Sequence, residues 1–209
     1  MKNLLLFLVF VCTLSLPCWG NPVPFSPIVR NYSVLDYNAG NENWAVAQDG
    51  RGVMYFGNNS GLLRYDGSRW KLFPLPASGI VRAVYVASDG RIYVGSFEEF
   101  GYFEENDLNL LEYHSLKDQV KGFNFHNDEI WTIVEQGGNI VFQSFGSYFI
   151  YDGTTTKGVR CHELPLNLFR VGDTVYSQLI NAGVCVFTGD RFTPLISRQE
   201  LGNSDVLAG

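Results

Sequence analysis

Histidine and cysteine are scarce in this chain of 209 residues and positive charge is outnumbered by negative, and each shortage removes a class of function. Its three histidines, His114, His126 and His162, share no short spacing with cysteines or carboxylates, and no nucleophile motif accompanies them. That pattern argues against a zinc site or a catalytic triad, so no metal, no cofactor and no enzymatic activity are expected. No glycine-rich loop opens a helix to cradle a phosphate. Long apolar runs are lacking too, with one exception at the N-terminus. Met1 to Gly20 carries Lys2, an apolar stretch from Leu4 to Leu16, then Pro17 and small residues at Cys18 and Gly20. It reads as a secretory signal cut after Gly20, since a membrane span needs about 20 apolar residues.

Removing the signal removes Lys2, which leaves 14 of the 15 basic side chains against 21 acidic ones, a net of −7. An acidic chain with few clustered Lys and Arg is a poor nucleic-acid binder, so no such contact is expected. No second run is long enough to cross a bilayer, and the mature chain is expected in an oxidising compartment. Two cysteines remain there, Cys161 and Cys185. Their positions permit a disulfide, and an apolar context (Val184-Cys185-Val186-Phe187) equally permits two buried free thiols.

Helical periodicity is also missing, whereas 22 glycines and 15% aromatics favour strands. Aromatic anchors follow each early turn at Tyr55, Tyr93, Phe142 and Tyr176, at intervals of 38, 49 and 34 residues by subtraction. Periods near 40 indicate stacked units. In the first unit Asp49-Gly50-Arg51-Gly52 is a turn, Val53 to Phe56 a strand, Gly57 to Gly61 a loop, and Leu62 to Tyr65 a strand. Asp66-Gly67 turns the chain again, and Trp70 to Phe73 is the fourth strand. Asp-Gly and Gly-Gly pairs suit such hairpins because tight turns require positive φ. Four antiparallel strands per unit around an axis make a β-propeller, so the fold class is all-β, a partial propeller of about four blades. A β-sandwich or barrel whose hairpins look alike is the alternative; the recurrence of the whole four-part order favours the propeller.

The expected organisation is a signal at 1–20, an N-terminal segment at 21–42 that could supply a ring-closing strand, and propeller repeats over 43–209. The repeats fall at about 43–76, 80–116, 128–165 and 168–196, with a further blade opening at 203–209. Propellers close with roughly four to eight blades, so the sequence reads as a fragment of a longer protein. An unpaired strand edge would make the isolated fragment prone to association.

Pro27-Ile28-Val29-Arg30-Asn31-Tyr32, Asn43-Trp44, Gln48-Asp49, Tyr55-Phe56-Gly57-Asn58, Gly61-Leu62-Leu63, Tyr65-Asp66-Gly67 and Trp70 resemble the periplasmic sensor of Bacteroidetes two-component regulator propeller proteins. The similarity is specific over Pro27 to about Leu75 and degenerate in the later repeats. It implies a propeller that detects a ligand, commonly a glycan fragment. It further implies a three-tyrosine domain, a membrane span and a histidine kinase or helix-turn-helix output, none of which the 209 residues contain. The implied partners are a small-molecule or oligosaccharide ligand, the rest of the propeller and a second receptor subunit.

The repeat motif, Gly61, Leu62, Tyr65, Asp66 and Gly67, echoed by Tyr151, Asp152 and Gly153, reads as a folding element. Alternation sends Leu62 and Leu63 to opposite sheet faces, and Asp66 can accept N–H groups in its own turn. Binding belongs in the loops between second and third strands and between blades. Asn58, Phe97, Glu98, Glu99, Phe145 and Asn181 are the candidates there, since exposed rings beside carboxylates and amides suit a sugar. A secreted propeller lyase or hydrolase, or an inactive interaction scaffold, remains the competing reading.

Overall fold

In a computed structural model the described residues are 27–76 and 79–202, so the signal segment 1–20 and the stub 203–209 lie outside them. Sixteen strands form four separate antiparallel sheets of four, each ordered as the chain runs. Blade 1 holds β1 (Asn43–Gln48), β2 (Met54–Asn58), β3 (Gly61–Tyr65) and β4 (Trp70–Phe73). Blade 2 holds β5 (Ala83–Val86), β6 (Ile92–Ser96), β7 (Glu99–Glu105) and β8 (Leu111–Ser115). Blade 3 holds β9 (Thr132–Gln136), β10 (Asn139–Gln143), β11 (Ser147–Tyr151) and β12 (Thr156–Arg160). Blade 4 holds β13 (Pro165–Val171), β14 (Thr174–Leu179), β15 (Gly183–Thr188) and β16 (Arg191–Ser197). The first strand of each blade lies beside the first strand of the next, β1 by β5, β5 by β9 and β9 by β13. The fold is a partial β-propeller.

The core sits between blades rather than inside any one of them. Tyr55, Leu62 and Val53 of blade 1 pack on Val81, Ile92, Val94 and Phe103 of blade 2. Tyr93, Phe100 and Tyr102 of blade 2 meet Ile133, Phe142, Phe149 and Tyr151 of blade 3. Val134, Val141 and Tyr148 of blade 3 close on Leu168, Val175 and Phe187 of blade 4. Each large side chain buried this way contributes about 1.5–3 kcal/mol, so a blade is stable only beside its neighbours.

Leu62 and Leu63 behave as alternation requires. Leu62 pairs with Gly57 and Phe73 on the face toward blade 2, while Leu63 pairs with Phe56 and Leu72 on the opposite face. Asp66 accepts from the Ser68 and Arg69 amides and Asp152 from those of Thr154 and Thr155, each closing a turn whose glycine, Gly67 or Gly153, sits at φ 93°. Tyr65 and Tyr151 donate their hydroxyls to the Gly67 and Gly153 carbonyls, both at 2.8 Å. Gly57 and Gly95 hold equivalent positions where a side chain would not fit. A Cβ there would lie 2.7 Å from the Val81 carbonyl oxygen or 2.4 Å from Ile130 Cγ2, the segments leading into the next blade.

The segment before the first blade contains a helical turn, α1 (Val34–Tyr37), and no strand over its described part, 27–42. Tyr37 and Tyr32 lie on Trp70 at 5.5 and 5.1 Å between ring centroids, covering the outer strand of blade 1. The anchor of blade 3 is off by one residue: Phe142 faces blade 2, 4.8 Å from the Phe100 ring, and Val141 occupies the position that faces the next blade. The link from blade 2 is long, and in it a 3-10 turn at Lys117–Gln119 precedes Phe123 and Phe125, whose rings pack on Phe149 at 5.0 and 5.4 Å. That insertion stretches the period, and one residue of slip in a strand exchanges its faces.

Candidate ligand-binding site at the mouth of the inner strands

Trp44, Arg82 and Trp131 hold one and the same position in three successive blades. Ala45 pairs with Gly57 and Ala83 with Gly95, so the residues before them, Trp44 and Arg82, are equivalent. The Arg82 amide donates to the Gly95 carbonyl and the Trp131 amide to that of Gln143, the same closing bond. The three side chains therefore meet where the inner strands begin. The Arg82 guanidinium carbon sits 3.7 Å from the centre of the Trp44 ring and 5.2 Å from that of Trp131. The two indoles meet edge to face at 6.3 Å. A guanidinium between aromatic faces is held by the ring quadrupoles, worth about 0.5–2 kcal/mol per contact.

Polar groups fix this stack. Glu129 accepts from Arg82 Nε at 2.6 Å. The Trp44 indole N–H donates to Asn59 Oδ1 at 2.7 Å, and the Asn59 amide donates to Glu42 at 2.9 Å. Arg82 Nη1 is buried without an acceptor. Rings stand at the rim: Trp44 is 43% exposed, Phe97 48% and Phe145 47%. Phe145, at the tip of the β10–β11 hairpin, lies 5.9 Å from Trp131, and Phe97, at the tip of β6–β7, bridges by its backbone to Glu129.

The six residues expected to bind divide. Phe145 reaches the mouth through its ring on Trp131, Phe97 borders it through a backbone bridge to Glu129, and the half-buried Glu98 carboxylate accepts from the Asn127 amide at 3.0 Å. Asn58 is fully buried. Its amide donates to the Gly40 and Glu42 carbonyls and to Asn43, while its oxygen accepts from Gly40 and Ser60, so it anchors the loop. Glu99 is buried and accepts from Tyr113 and Ser115 hydroxyls, both at 2.7 Å. That carboxylate and, first, burial push the Tyr113 phenol up. Asn181 is exposed in the turn between β14 and β15 and hydrogen-bonds to none of the mouth residues. Trp44, Arg82, Trp131 and Glu129 escaped the sequence reading. Aligning the repeats on Gly57 and Gly95 is the signal that brings the first two together.

Behind Phe145 lies a buried knot. Asp128, 2% exposed, accepts from Ser144 at 2.9 Å, Ser147 at 2.7 Å, the His126 amide at 2.9 Å and Arg160 at 3.1 Å. Burial alone would raise its pKa; those donors and the Arg160 charge outweigh it and hold the carboxyl below its ordinary value. The knot pins the β10–β11 hairpin that carries Phe145.

Away from the mouth, a groove of about 450 Å³ between blades 3 and 4 is lined by Tyr148, Cys161, His162, Glu163 and Asp190. Burial pushes the Cys161 thiol up to about 11, so it is a thiol rather than a nucleophilic thiolate at neutral pH. Both Cys161 and Cys185 are free. Among the described residues no group of three His, Cys, Asp or Glu is placed to hold a metal, and no helix is long and apolar enough to cross a membrane.

No family model and no curated protein matches the chain. Solved structures do match its fold. The extracellular domain of the putative one-component system BT4673 from B. thetaiotaomicron superposes with a TM-score of 0.54 at 15% identity, over 73% of this chain and 21% of that one. A catalytically inactive virginiamycin B lyase from Staphylococcus aureus, solved with quinupristin, gives 0.60 at 10% identity, over 78% and 58%. An ancestral GH74 enzyme gives 0.57 at 18%, over 76% and 24%. The chain thus spans about a fifth of the sensor chain and under three fifths of the lyase. At these identities the likeness is one of fold.

Proposed function

We propose that the chain is the ligand-sensing propeller portion of a periplasmic receptor of the two-component regulator propeller kind, responding to a glycan-derived ligand. The observation that carries this reading is the convergence of Trp44, Arg82 and Trp131 from one repeat position of three blades, with Phe145 and Phe97 at the rim. Rings that stay partly exposed beside amides and carboxylates match the apolar face and hydroxyls of a sugar. The sensor-domain fold neighbour supports the receptor half of the proposal. Binding shifts such a receptor only through different affinity for its two states, and a mouth built from three blades changes when the blades move relative to one another. A propeller enzyme is the competing reading, supported by the lyase and GH74 neighbours. In this chain His114 stacks on Tyr102 in blade 2 and pairs with Glu104, and neither His126 nor His162 stacks on or hydrogen-bonds to the mouth. Titration of the chain with digests of neutral, acidic and amino polysaccharides, followed by tryptophan fluorescence, tests the proposal. A saturable change that Trp131→Ala abolishes is expected; no response to any digest overturns glycan sensing.

A further inference from the structure

The hydrogen-bonding capacity left over at the mouth narrows the ligand class. Arg82 spends only Nε on Glu129, and its Nη1 has no acceptor among the described residues. Glu129 accepts through Oε1, while Oε2 accepts nothing from the described residues, and its side chain remains 24% exposed. A charged donor and a charged acceptor thus stand side by side against a wall of Trp44, Trp131 and Phe145. A hydroxyl both donates and accepts, so two neighbouring hydroxyls on one ring complement this pair where a carboxylate or an ammonium does not.

Charge points the same way. The mouth's network holds carboxylates at Glu129, on Arg82, and Glu42, on the Asn59 that holds Trp44, with Glu98 on the Asn127 amide two residues before Glu129. A uronate or sulfate would bring a further negative charge into that group, where like charges repel. A ligand cation meets a different obstacle: Arg82 already covers a face of Trp44 at 3.7 Å, the seat an ammonium would take. We propose that the mouth takes a neutral oligosaccharide, reading two adjacent hydroxyls of one ring with Arg82 and Glu129 and seating that ring against Trp131 and Phe145. This rests on the reading of the mouth as a glycan site. Because Nη1 is shielded from solvent, a hydroxyl that reaches it displaces a flanking indole, which couples occupancy to tryptophan fluorescence.

The test is an array of neutral, uronate- or sulfate-bearing, and amino-sugar oligosaccharides probed with the chain, followed by calorimetry on each hit at low and high salt. Expected are neutral hits whose affinity is insensitive to salt and falls about tenfold or more in Glu129→Gln, as loss of a hydrogen bond to a charged group requires. Arg82→Lys, which keeps the charge but loses the fork, is expected to weaken binding comparably, and it substitutes where Glu129→Gln fails to fold. Hits confined to acidic or amino glycans, and lost in Trp131→Ala, overturn the neutral-diol inference and leave the glycan site standing. Glycan binding untouched by Trp131→Ala and Glu129→Gln removes the ligand from the mouth and overturns both, as does an array without hits.

Discussion

The Tyr93 hydroxyl donates to the Asp89 carboxylate at 2.9 Å, and Tyr55 makes the same contact with Asp49 at 3.3 Å one blade earlier. In each case a strand aromatic is tied to the turn that precedes it. Burial, with the Asp89 charge, pushes the Tyr93 phenol up, so it stays a donor. Blade 3 loses both halves together, with Val141 in place of the tyrosine and Gly137-Gly138 in place of the aspartate turn. Tyr93→Phe is expected to cost about 1 kcal/mol and Asp89→Ala more, because the latter leaves a buried hydroxyl without its acceptor. Tyr55→Phe costs less than Tyr93→Phe, since its bond is longer and Asp49 is already occupied by the Arg51 and Val53 amides. Urea midpoints of the three variants check the ranking.

Asp128 supplies an acid limb. Its folded pKa lies below its unfolded one, so its contribution to stability is complete above about pH 4 and is lost as pH falls through the depressed folded value. Asp128→Asn is expected to lower stability at neutral pH by about 2 kcal/mol, the scale of hydrogen bonds to a charged group, given that Arg160 is 41% exposed. The variant should also flatten the fall in thermal midpoint between pH 4 and more acidic values, measured by calorimetry across that range. An unchanged acid limb would mean that other carboxylates carry it.

The propeller was legible because its local signals agree: a turn glycine, an alternating strand and a second turn recur in one order, and each repetition demands the same sheet. What the sequence hid is relational. Trp44, Arg82 and Trp131 are three unlike residues in one repeat position, and Trp131 sits beyond an insertion that upsets counting. Seeking an aromatic anchor picks Phe142 where aliphatic Val141 holds the equivalent position. Loop position alone cannot separate exposed Phe97 and Phe145 from buried Asn58 and Glu99, because a polar side chain there can turn inward, Asn58 onto backbone carbonyls and Glu99 onto the Tyr113 and Ser115 hydroxyls.

Two glycines separate strain from crowding. Gly67 sits at φ 93° with open space around its missing Cβ, so Gly67→Ala meets only the left-handed backbone penalty of about 1–2 kcal/mol. Gly61 sits at φ 133°, where a Cβ would lie 2.4 Å from the Phe73 carbonyl oxygen and 2.8 Å from Pro74 Cα. Neither obstacle is a movable side-chain end. Gly61→Ala is expected to destabilise well beyond Gly67→Ala, read as the difference in thermal midpoint.

The two thiols are expected to resist alkylation in the folded chain. With Cys161 pushed up to about 11 by burial, only about a thousandth is thiolate at pH 8. Burial raises Cys185 as well, and its side chain is enclosed in β15. Iodoacetamide labelling followed by mass spectrometry should give slow modification of Cys161 and Cys185 in the folded state and full modification of both after denaturation. Rapid labelling of Cys161 at pH 8 would contradict its raised pKa.

Phe142 and Phe145 stand three residues apart and are expected to fail in opposite ways. Phe142 is fully buried between blades 2 and 3, against Phe100 at 4.8 Å and Tyr93 at 6.0 Å. Phe142→Ala opens a cavity there and should cost about 3–5 kcal/mol. Phe145 is 47% exposed, and its ring meets Trp131 from the hairpin tip. Phe145→Ala should therefore change stability by about 0.5 kcal/mol or less, as other surface substitutions do. If the mouth holds the ligand, the order reverses for binding: Phe145→Ala loses the fluorescence response while its melting curve overlays the parent. A variant that melts early and loses the response would show instead that Phe145 shapes the mouth by supporting Trp131. A double-mutant cycle between Phe145 and Trp131, read in both stability and binding, separates those outcomes, since contact residues that merely support each other couple in both measurements.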